Sequence, residues 1–308
     1  MVSQQKNNKS VFQEHISKSP IINRLPTGEK AFIIDGNAIL HQQVTIPDTF
    51  GTLAENVFNS LPIHKHTRID FVTDTPKTRS IKDLTRKSRG IGKEYVISGP
   101  LTKVPPQWKD LLHHNANKEQ IITIMLNEWK MDKYAAKLHT VKLYYAHKTK
   151  CYILSSSDGK HTSCEECEEL ASEQEEADPR IITHLLDILQ WKKDIPVIVR
   201  SSDTDVECLL LHYYAVHGMK GMVIMDSGVS DKRKLIDIKS VATDIGTEAC
   251  CALVGWFYYT GSDTTSSSVR RGKVKPWKLL LKFPQYMKAF AQLGMSETLE
   301  DKYVEILE

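Results

Sequence analysis

The chain has 308 residues, of which 41% are hydrophobic and 26% charged, a balance typical of a globular protein with a sizeable core. The formal net charge of +3 favours no class of partner by itself, and no run of about 18 apolar residues predicts a membrane span. The polar start, residues 1–19, lacks the apolar centre of a secretory signal. We therefore expect an intracellular protein, in the nucleus or the cytoplasm, that contacts no membrane.

Short apolar runs predict strands that are buried on both faces of a sheet. Residues 1–28 are rich in Asn, Gln, Lys and Ser and predict a polar, flexible arm. The predicted strands belong to a domain over residues 29–260. They are predicted at Ala31–Asp35, Ile69–Val72, Pro196–Arg200 and Met222–Met225.

Apolar residues at helical spacing predict helices at Asn117–His139, Ala177–Trp191, Thr204–His217 and Thr243–Tyr259. Strands that alternate with helices predict an α/β fold, with a mainly parallel central sheet and helices on both faces. Between them, residues 141–145 and 150–154 fit either an antiparallel pair or one strand and an edge, and the sequence leaves both open.

Carboxylates follow three of the predicted strands: Asp35, Asp74, and the pair Asp203 and Asp205. Ligands of open parallel sheets bind at the carboxyl ends of the strands, so these side chains are candidates for one site. A single Asp after a strand often caps a helix or belongs to a turn, which is the structural alternative. Its recurrence after three separate strands favours a shared site.

Glu176 and Asp178 precede another predicted helix, with Pro179 suited to its first turn. Acidic residues there also favour the positive end of the helix dipole, which is again a structural alternative. Converging carboxylates repel one another unless cations lie among them, and hard oxygen ligands select Mg²⁺ or Mn²⁺. Two such ions would activate a water and stabilise the leaving oxygen of a phosphodiester.

Cys164 and Cys167 have the spacing of a zinc knuckle, with His161 before them and Cys151 as a possible fourth ligand. The sequence contains no second Cys-x-x-Cys, so an acidic, solvated loop that leads into a helix is the favoured alternative.

The ordered pieces resemble the flap endonuclease and PIN-like 5′-nuclease superfamily over about residues 30–282. The matching pieces are Phe32-Ile-Ile-Asp35-Gly-Asn, Phe71-Val-Thr-Asp74, Glu176-Ala-Asp178, Ser202-Asp203-Thr-Asp205 and Thr260-Gly-Ser-Asp263-Thr. More loosely, the Gly-x-Asp-Thr-Thr-Ser segment at Gly261 is similar to one in uncharacterised animal proteins linked to mobile elements.

The resemblance implies a PIN-like domain and a catalytic set of seven carboxylates. Asp35, Glu176, Asp178 and Asp203 would form one metal site, Asp205 and Asp263 would complete a second, and Asp74 would join the catalytic set. It also implies two basic segments that bind nucleic acid. The first, a helical gateway after the second predicted strand, would hold the scissile phosphate through Arg79, Lys82, Arg86 and Lys87. The C-terminal helical region, residues 261–308, would lie against the same domain and grip the backbone through Arg270, Arg271, Gly272, Lys273, Lys275 and Lys278.

Three functions remain open. The leading one is a structure-specific nuclease of the 5′-nuclease type that hydrolyses DNA or RNA with two Mg²⁺ or Mn²⁺ ions. The second is a PIN-like module of weak activity that binds nucleic acid or a protein. The third is an unrelated α/β phosphatase or nucleotide hydrolase, although the chain has no Walker-type phosphate loop. Either basic segment also fits a solvated surface.

Overall fold

The computed structural model describes residues 11–13, 15–16, 22–63, 67–75, 93–261, 272–296 and 298–307. The chain forms two compact units. The larger unit comprises Pro26–Ser201, and the smaller one comprises Met1–Leu25 together with Ser202–Glu308. The chain therefore passes from one unit to the other between Ser201 and Ser202, inside the segment 29–260 that the sequence predicted as one domain.

The larger unit is built on one mainly parallel sheet. Its strands are β1 (Ala31–Asp35), β2 (Thr67–Val72), β3 (Val141–His147), β4 (Lys150–Ser155), β5 (Ser163–Glu166) and β6 (Val197–Arg200). They lie in the order β5-β4-β3-β2-β1-β6. β3, β2, β1 and β6 are parallel, whereas β3, β4 and β5 are antiparallel. Residues 141–145 and 150–154, for which the sequence left two arrangements open, therefore belong to an antiparallel hairpin, and β5 is a strand that the sequence did not predict.

Helices cover both faces of this sheet, as predicted. They are α1 (Gly36–His41), α2 (Phe50–Ser60), α3 (Trp108–His113), α4 (Asn115–Trp129), α5 (Ala135–Leu138) and α6 (Ala177–Trp191). Successive residues of β2 point to opposite faces. Asp70 contacts His184 of α6, and the next residue, Phe71, contacts Trp129 of α4. α4 and α6 therefore lie on opposite faces, and the predicted α/β class is confirmed.

The core on the α4 face is aromatic. The ring of Trp129 lies 5.2 Å from Phe71, 5.2 Å from Tyr145 and 5.4 Å from Phe58, measured between centroids. Its indole nitrogen donates to the Ala54 carbonyl of α2 at 2.8 Å, so the polar atom of this buried side chain is satisfied. α4 ends at this residue, whereas the sequence predicted a helix that continues to His139.

The smaller unit contains a strand pair and several helices. β7 (Val223–Ser227) and β8 (Lys234–Asp237) are antiparallel. The helices are α7 (Thr204–Val216), α8 (Ile238–Ile245), α9 (Thr247–Tyr259), α10 (Val274–Lys282), α11 (Pro284–Gln292) and α12 (Asp301–Leu307). None of the helices described in either unit is long and apolar enough to cross a membrane.

Glycines explain two features of the smaller unit. The sequence predicted one helix over Thr243–Tyr259, but Gly246 adopts φ 91° and ψ 147°, a conformation that interrupts the helix and that other residues rarely adopt. α8 and α9 are therefore separate helices. At Gly255, a Cβ would lie 2.2 Å from the carbonyl oxygen of Phe290, so only glycine allows α9 and α11 to approach this closely.

Part of the segment 1–28, which the sequence predicted as a flexible arm, is packed where the structure describes it. Residues 11–13 and 15–16 are helical. Phe12 is 0% exposed, and its ring centroid lies 5.0 Å from that of Trp256 and 5.6 Å from that of Trp277. Gln13 donates to the Glu207 carboxylate at 2.6 Å. Phe12 therefore belongs to the core of the smaller unit, although the residues around it in the sequence are mostly polar.

Candidate functional site

Asp35 ends β1 and is buried, with both carboxylate oxygens hydrogen-bonded. Oδ1 accepts from the backbone N–H of Ala38 at 3.0 Å, which caps α1, and Oδ2 accepts from the Ser201 hydroxyl at 3.1 Å. Because β1 and β6 are parallel neighbours, Ser201, the residue after β6, reaches the same edge of the sheet. The structure thus places this predicted site residue at a strand end, where it also has a capping role.

Asp74 caps the helix that carries the next two predicted carboxylates. Its Oδ1 accepts from the backbone N–H of Ala177, the first residue of α6, at 2.9 Å. The following residue strengthens this connection, since the N–H of Thr75 donates to the carbonyl of Glu175 at 2.8 Å. The head of α6 is therefore fastened to the chain just beyond β2.

Four of the predicted carboxylates consequently lie at the carboxyl edge of the parallel strands in the larger unit. Asp35 is in register with Val72, and Asp74 lies two residues beyond that partner. Glu176 is the N-cap residue of α6, Asp178 lies in its first turn, and both are half-buried. That these residues form one site with Asp203, Asp205 and Asp263 stays a prediction.

Asp203 and Asp205 belong to the smaller unit. Asp203 is exposed and is the N-cap residue of α7, where its Oδ1 accepts from the N–H of Asp205 at 3.0 Å. Asp237 caps α8 through the N–H of Lys239 in the same way, at 3.2 Å. Capping therefore recurs after strands throughout the chain, and it explains the local placement of Asp35, Asp74 and Asp203 without a metal.

Most of the predicted nucleic-acid contacts, together with one carboxylate, lie outside the described residues. They are Asp263, Arg79, Lys82, Arg86, Lys87, Arg270 and Arg271. Of those that are described, Gly272 is half-buried, and Lys275 and Lys278 are exposed on α10. Lys273 is buried, with its ammonium donating to the Phe257 carbonyl at 2.8 Å and to Thr260 Oγ1 at 2.9 Å. This lysine is bound inside the smaller unit, in contrast to the phosphate contact expected from the sequence.

The chemistry of the acidic residues fits a hard cation, because all of them offer carboxylate oxygens. Within the described ranges, however, no group of three or more His, Cys, Asp or Glu side chains is close enough together to hold a metal ion. Asp263 lies outside the described residues, and Asp203 and Asp205 belong to a different unit from the other carboxylates.

The candidate zinc ligands are separated by the β4–β5 hairpin. Cys164 is in register with Leu154 in β4, and the N–H of Cys167 donates to the Cys151 carbonyl at 2.8 Å. An odd separation along extended backbone turns Cys164 and Cys167 toward opposite faces. His161 instead bonds to Asp158 through Nδ1 at 2.8 Å. Cys164 lies in the edge strand β5 and Cys167 just beyond its end, so their zinc-like spacing does not correspond to a shared site among the described residues.

A buried charge cluster was not predicted. Arg68 and Asp70 of β2 form a two-point ion pair, with Nε–Oδ1 and Nη2–Oδ2 both at 2.8 Å, and His184 Nδ1 of α6 lies 2.6 Å from Asp70 Oδ2. Asp187 adds a further ion pair to Arg68 at 2.6 Å, and the guanidinium lies 3.9 Å from the centroid of Tyr144. These contacts join the middle of α6 to β2.

Burial alone would raise the pKa of Asp70, but hydrogen bonds from Arg68 and His184 lower it below its ordinary value. Burial alone would likewise lower the pKa of Arg68, and its pairing with Asp70 raises it. The ion pair is therefore charged throughout the physiological pH range. Such a pair adds little net stability compared with apolar residues, but loss of one member leaves a buried charge unpaired.

A second cluster surrounds Arg180, in the first turns of α6. Its side chain is 0% exposed, and Nη1 and Nη2 donate to the carbonyl oxygens of Lys148 and Lys150 at 2.5 Å and 2.7 Å. Nη1 also lies 3.5 Å from Thr75 Oγ1. The sequence held a signal for both clusters, since Arg180 and His184 interrupt the apolar stripe of Ala177, Ile181 and Ile188. Polar residues at core positions of a helix usually have buried partners.

No protein-family model matches this chain, and no curated protein matches it. The resemblance to 5′-nucleases therefore depends on the ordered carboxylates and on the α/β architecture alone.

Proposed function

We propose that the chain is a metal-dependent nuclease with a PIN-like fold that hydrolyses phosphodiester bonds in DNA or RNA inside the cell. One observation supports this above others: Asp35, Glu176 and Asp178 lie at the carboxyl edge of adjacent parallel strands. Ligands bind at that edge in open α/β sheets, and carboxylates in such a place attract divalent cations.

In the larger unit, Asp35, Glu176 and Asp178 would bind Mg²⁺ or Mn²⁺, and the resemblance assigns Asp203, Asp205 and Asp263 to metal binding as well. Bound metal would supply an activated water and stabilise the leaving oxygen. Asp74 serves the same site by fixing the first turn of α6, which the hydrogen bond to Ala177 supports. It is thus a structural support for Glu176 and Asp178.

The exposed lysines of α10 would bind the nucleic-acid backbone. Lys275, Lys278 and Lys282 are exposed and recur at helical spacing, so they present one charged stripe. Such a stripe contacts phosphates without reading bases. Arg79, Lys82, Arg86 and Lys87 of the gateway would hold the scissile phosphate, and Arg270, Arg271 and Gly272 would extend the backbone contact.

Cleavage assays with neutral variants test this proposal. Labelled flap, duplex and single-stranded DNA and single-stranded RNA are incubated with the protein in Mg²⁺, Mn²⁺ or EDTA. Glu176→Gln and Asp178→Asn remove charge with little change in size. We expect each to lower the cleavage rate by more than about 100-fold, because loss of an outer partner of a metal ligand alone costs about 10–100-fold. Asp203→Asn keeps the α7 cap acceptor and tests the contribution of the smaller unit.

Glu173→Gln is the matched control, since Glu173 is an exposed carboxylate just before α6. It should cleave as the wild type does. Cleavage that persists in EDTA, or that survives in Glu176→Gln and Asp178→Asn alike, would rule out the proposed mechanism.

A binding module without strong activity is the second candidate. It is favoured by the capping roles of Asp35, Asp74 and Asp203, together with the lack of a ready-made metal-binding group among the described residues. Binding of labelled strands without cleavage in any metal would select this function. Salt-sensitive binding that weakens in Lys275→Gln and Lys278→Gln would assign it to α10.

A further inference from the structure

Arg180 is an unusual core residue, because its guanidinium is fully buried and hydrogen-bonded mainly to backbone. Its two terminal nitrogens donate to the carbonyls of Lys148 and Lys150, on either side of the β3–β4 turn. Within the described residues, it forms no ion pair with a carboxylate, and its Nε–H is buried without a hydrogen-bond partner. In this respect it differs from Arg68, which is paired with two carboxylates.

The contacts of Arg180 join three segments at the head of α6. Thr75 connects to all of them: its N–H donates to the Glu175 carbonyl, and its hydroxyl donates to the Lys148 carbonyl at 2.7 Å. Arg180 reaches the same Lys148 carbonyl from α6. The end of β2, the β3–β4 turn and the first turn of α6 are therefore held in one hydrogen-bonded cluster.

This cluster is a costly way to stabilise a core. Removing a charged group from water is expensive, and a well-packed apolar residue of similar volume is often as stabilising or more so. An unsatisfied buried N–H adds to that cost. Arg180 lies two residues after Asp178 and four after Glu176, so the cluster fixes the turn of α6 that carries both carboxylates.

We infer that Arg180 is a positioning residue: it fixes the first turn of α6 against the β3–β4 turn so that Glu176 and Asp178 are held ready for a divalent cation. This inference depends on the proposed function, because it concerns the same carboxylates. Outer contacts of this kind orient metal ligands, and their loss typically weakens metal affinity by about 10–100-fold.

Binding of Mn²⁺ to the 308-residue chain, measured by electron paramagnetic resonance and calorimetry without nucleic acid, tests the inference. The variants are Arg180→Gln, Arg180→Lys and Thr75→Val. His184→Gln is the matched control, because it disturbs a buried polar contact in the middle of the same helix, away from its head. Thermal unfolding of each variant shows whether it is folded at the temperature of the binding measurement.

We expect Arg180→Gln to raise the Mn²⁺ dissociation constant by about 10–100-fold, and Thr75→Val to raise it less. Arg180→Lys should restore part of the affinity, and His184→Gln should bind as the wild type does. In cleavage assays, the rate of Arg180→Gln should recover at high Mn²⁺, which a general loss of folded protein would not allow.

Two results would overturn the inference in distinguishable ways. If the wild type binds Mn²⁺ and Arg180→Gln and His184→Gln weaken binding equally, or not at all, the positioning role fails while the nuclease proposal stands. If the wild type neither binds Mn²⁺ nor cleaves any strand, the proposed function fails, and the positioning role fails with it.

Discussion

His147 shows how a single buried residue acquires a pH-dependent effect on stability. It ends β3, is buried, and its Nε2 lies 3.0 Å from Thr123 Oγ1 of α4. Burial, reinforced by the nearby charge of Lys148, lowers the pKa of His147 to about 4, and Glu119 opposes the shift only in part. The imidazole is therefore neutral in the folded protein near neutral pH.

Acidification should destabilise the wild type through this residue. Above pH 6.5, the ordinary His value, the imidazole is neutral in both the folded and the unfolded chain. Between pH 6.5 and about 4 only the unfolded chain binds the proton, so the free energy of unfolding falls with pH. Below about 4 both states are protonated and the loss levels off.

Urea unfolding of the wild type and His147→Gln from pH 8 to pH 4 measures this effect, since Gln keeps a polar partner for Thr123 but has no titrating group in this range. As the pH falls, the free energy of unfolding should decrease more for the wild type than for His147→Gln. His113→Gln, at a largely exposed histidine, is the control. Parallel pH profiles for the wild type and His147→Gln would contradict the prediction.

At the scale of an element, α6 is held at two points. Its head is fixed by Asp74, Thr75 and Arg180, and its middle is fixed by the contact of His184 with Asp70. The attachment at the head presents the first turn in one orientation, which is what a carboxylate site at that turn requires, whereas the contact of His184 lies farther along the helix. The sequence predicted the helix but not these attachments.

The cap and charge roles of Asp74 can be separated by substitution. Asp74→Ala removes the acceptor for the Ala177 N–H and should lower the free energy of unfolding by about 0.5–2 kcal/mol. Asp74→Asn keeps a side-chain oxygen acceptor, so it should lose much less. Denaturant midpoints, at an unchanged dependence on denaturant concentration, measure both.

Thr49→Ala is a useful comparison, because Thr49 caps α2 through the N–H of Thr52 at 3.2 Å. If Asp74 acts through its cap alone, Asp74→Asn should also keep nuclease activity. Loss of activity in a stable Asp74→Asn protein would assign the carboxylate charge itself to catalysis. Equal destabilisation by Asn and Ala would contradict the capping role.

At the scale of the whole molecule, the smaller unit is assembled from both ends of the chain. The N-terminal residues contribute Phe12 to a cluster of rings that includes Trp256 and Phe257 of α9 and Trp277 of α10. The T-shaped contact of Trp256 with Trp277, at 5.0 Å, joins α9 and α10 directly. These aromatic residues form core packing within the smaller unit.

Phe12→Ala should therefore destabilise the smaller unit strongly, by about 3–5 kcal/mol, the usual cost of emptying a buried aromatic position. Tryptophan fluorescence during urea unfolding reports on it, since Trp256 and Trp277 line the vacated space. Val11→Ala, at a neighbouring side chain that is 52% exposed, should change stability by less than about 0.5 kcal/mol. Similar unfolding curves for the two variants would contradict this packing role.

The sequence by itself determined the features that depend on local pattern. Apolar runs and helical spacing predicted the parallel strands β1, β2 and β6 and the helix α6, because periodicity follows from burial on one or both faces. The position of Asp35 and Asp74 directly after strands places both at the carboxyl edge of the sheet in the larger unit, while their membership of one shared site stays a prediction. The same reasoning missed the ends of α4 and the break at Gly246, because the ends of helices depend on a few local contacts and backbone angles.

Only the tertiary structure decided what each polar group does. Asp35, Asp74 and Asp203 look alike in the sequence, yet each caps a different helix, and Asp35 also binds Ser201 from a strand more than 160 residues away. Lys273 and Phe12 lie in polar segments but are buried. Asp70 connects Arg68 to His184, and Arg180 binds the β3–β4 turn. These partners are remote in sequence, and no local pattern specifies them. Their choice depends on which backbone groups and charges the folded chain leaves to be satisfied in its interior.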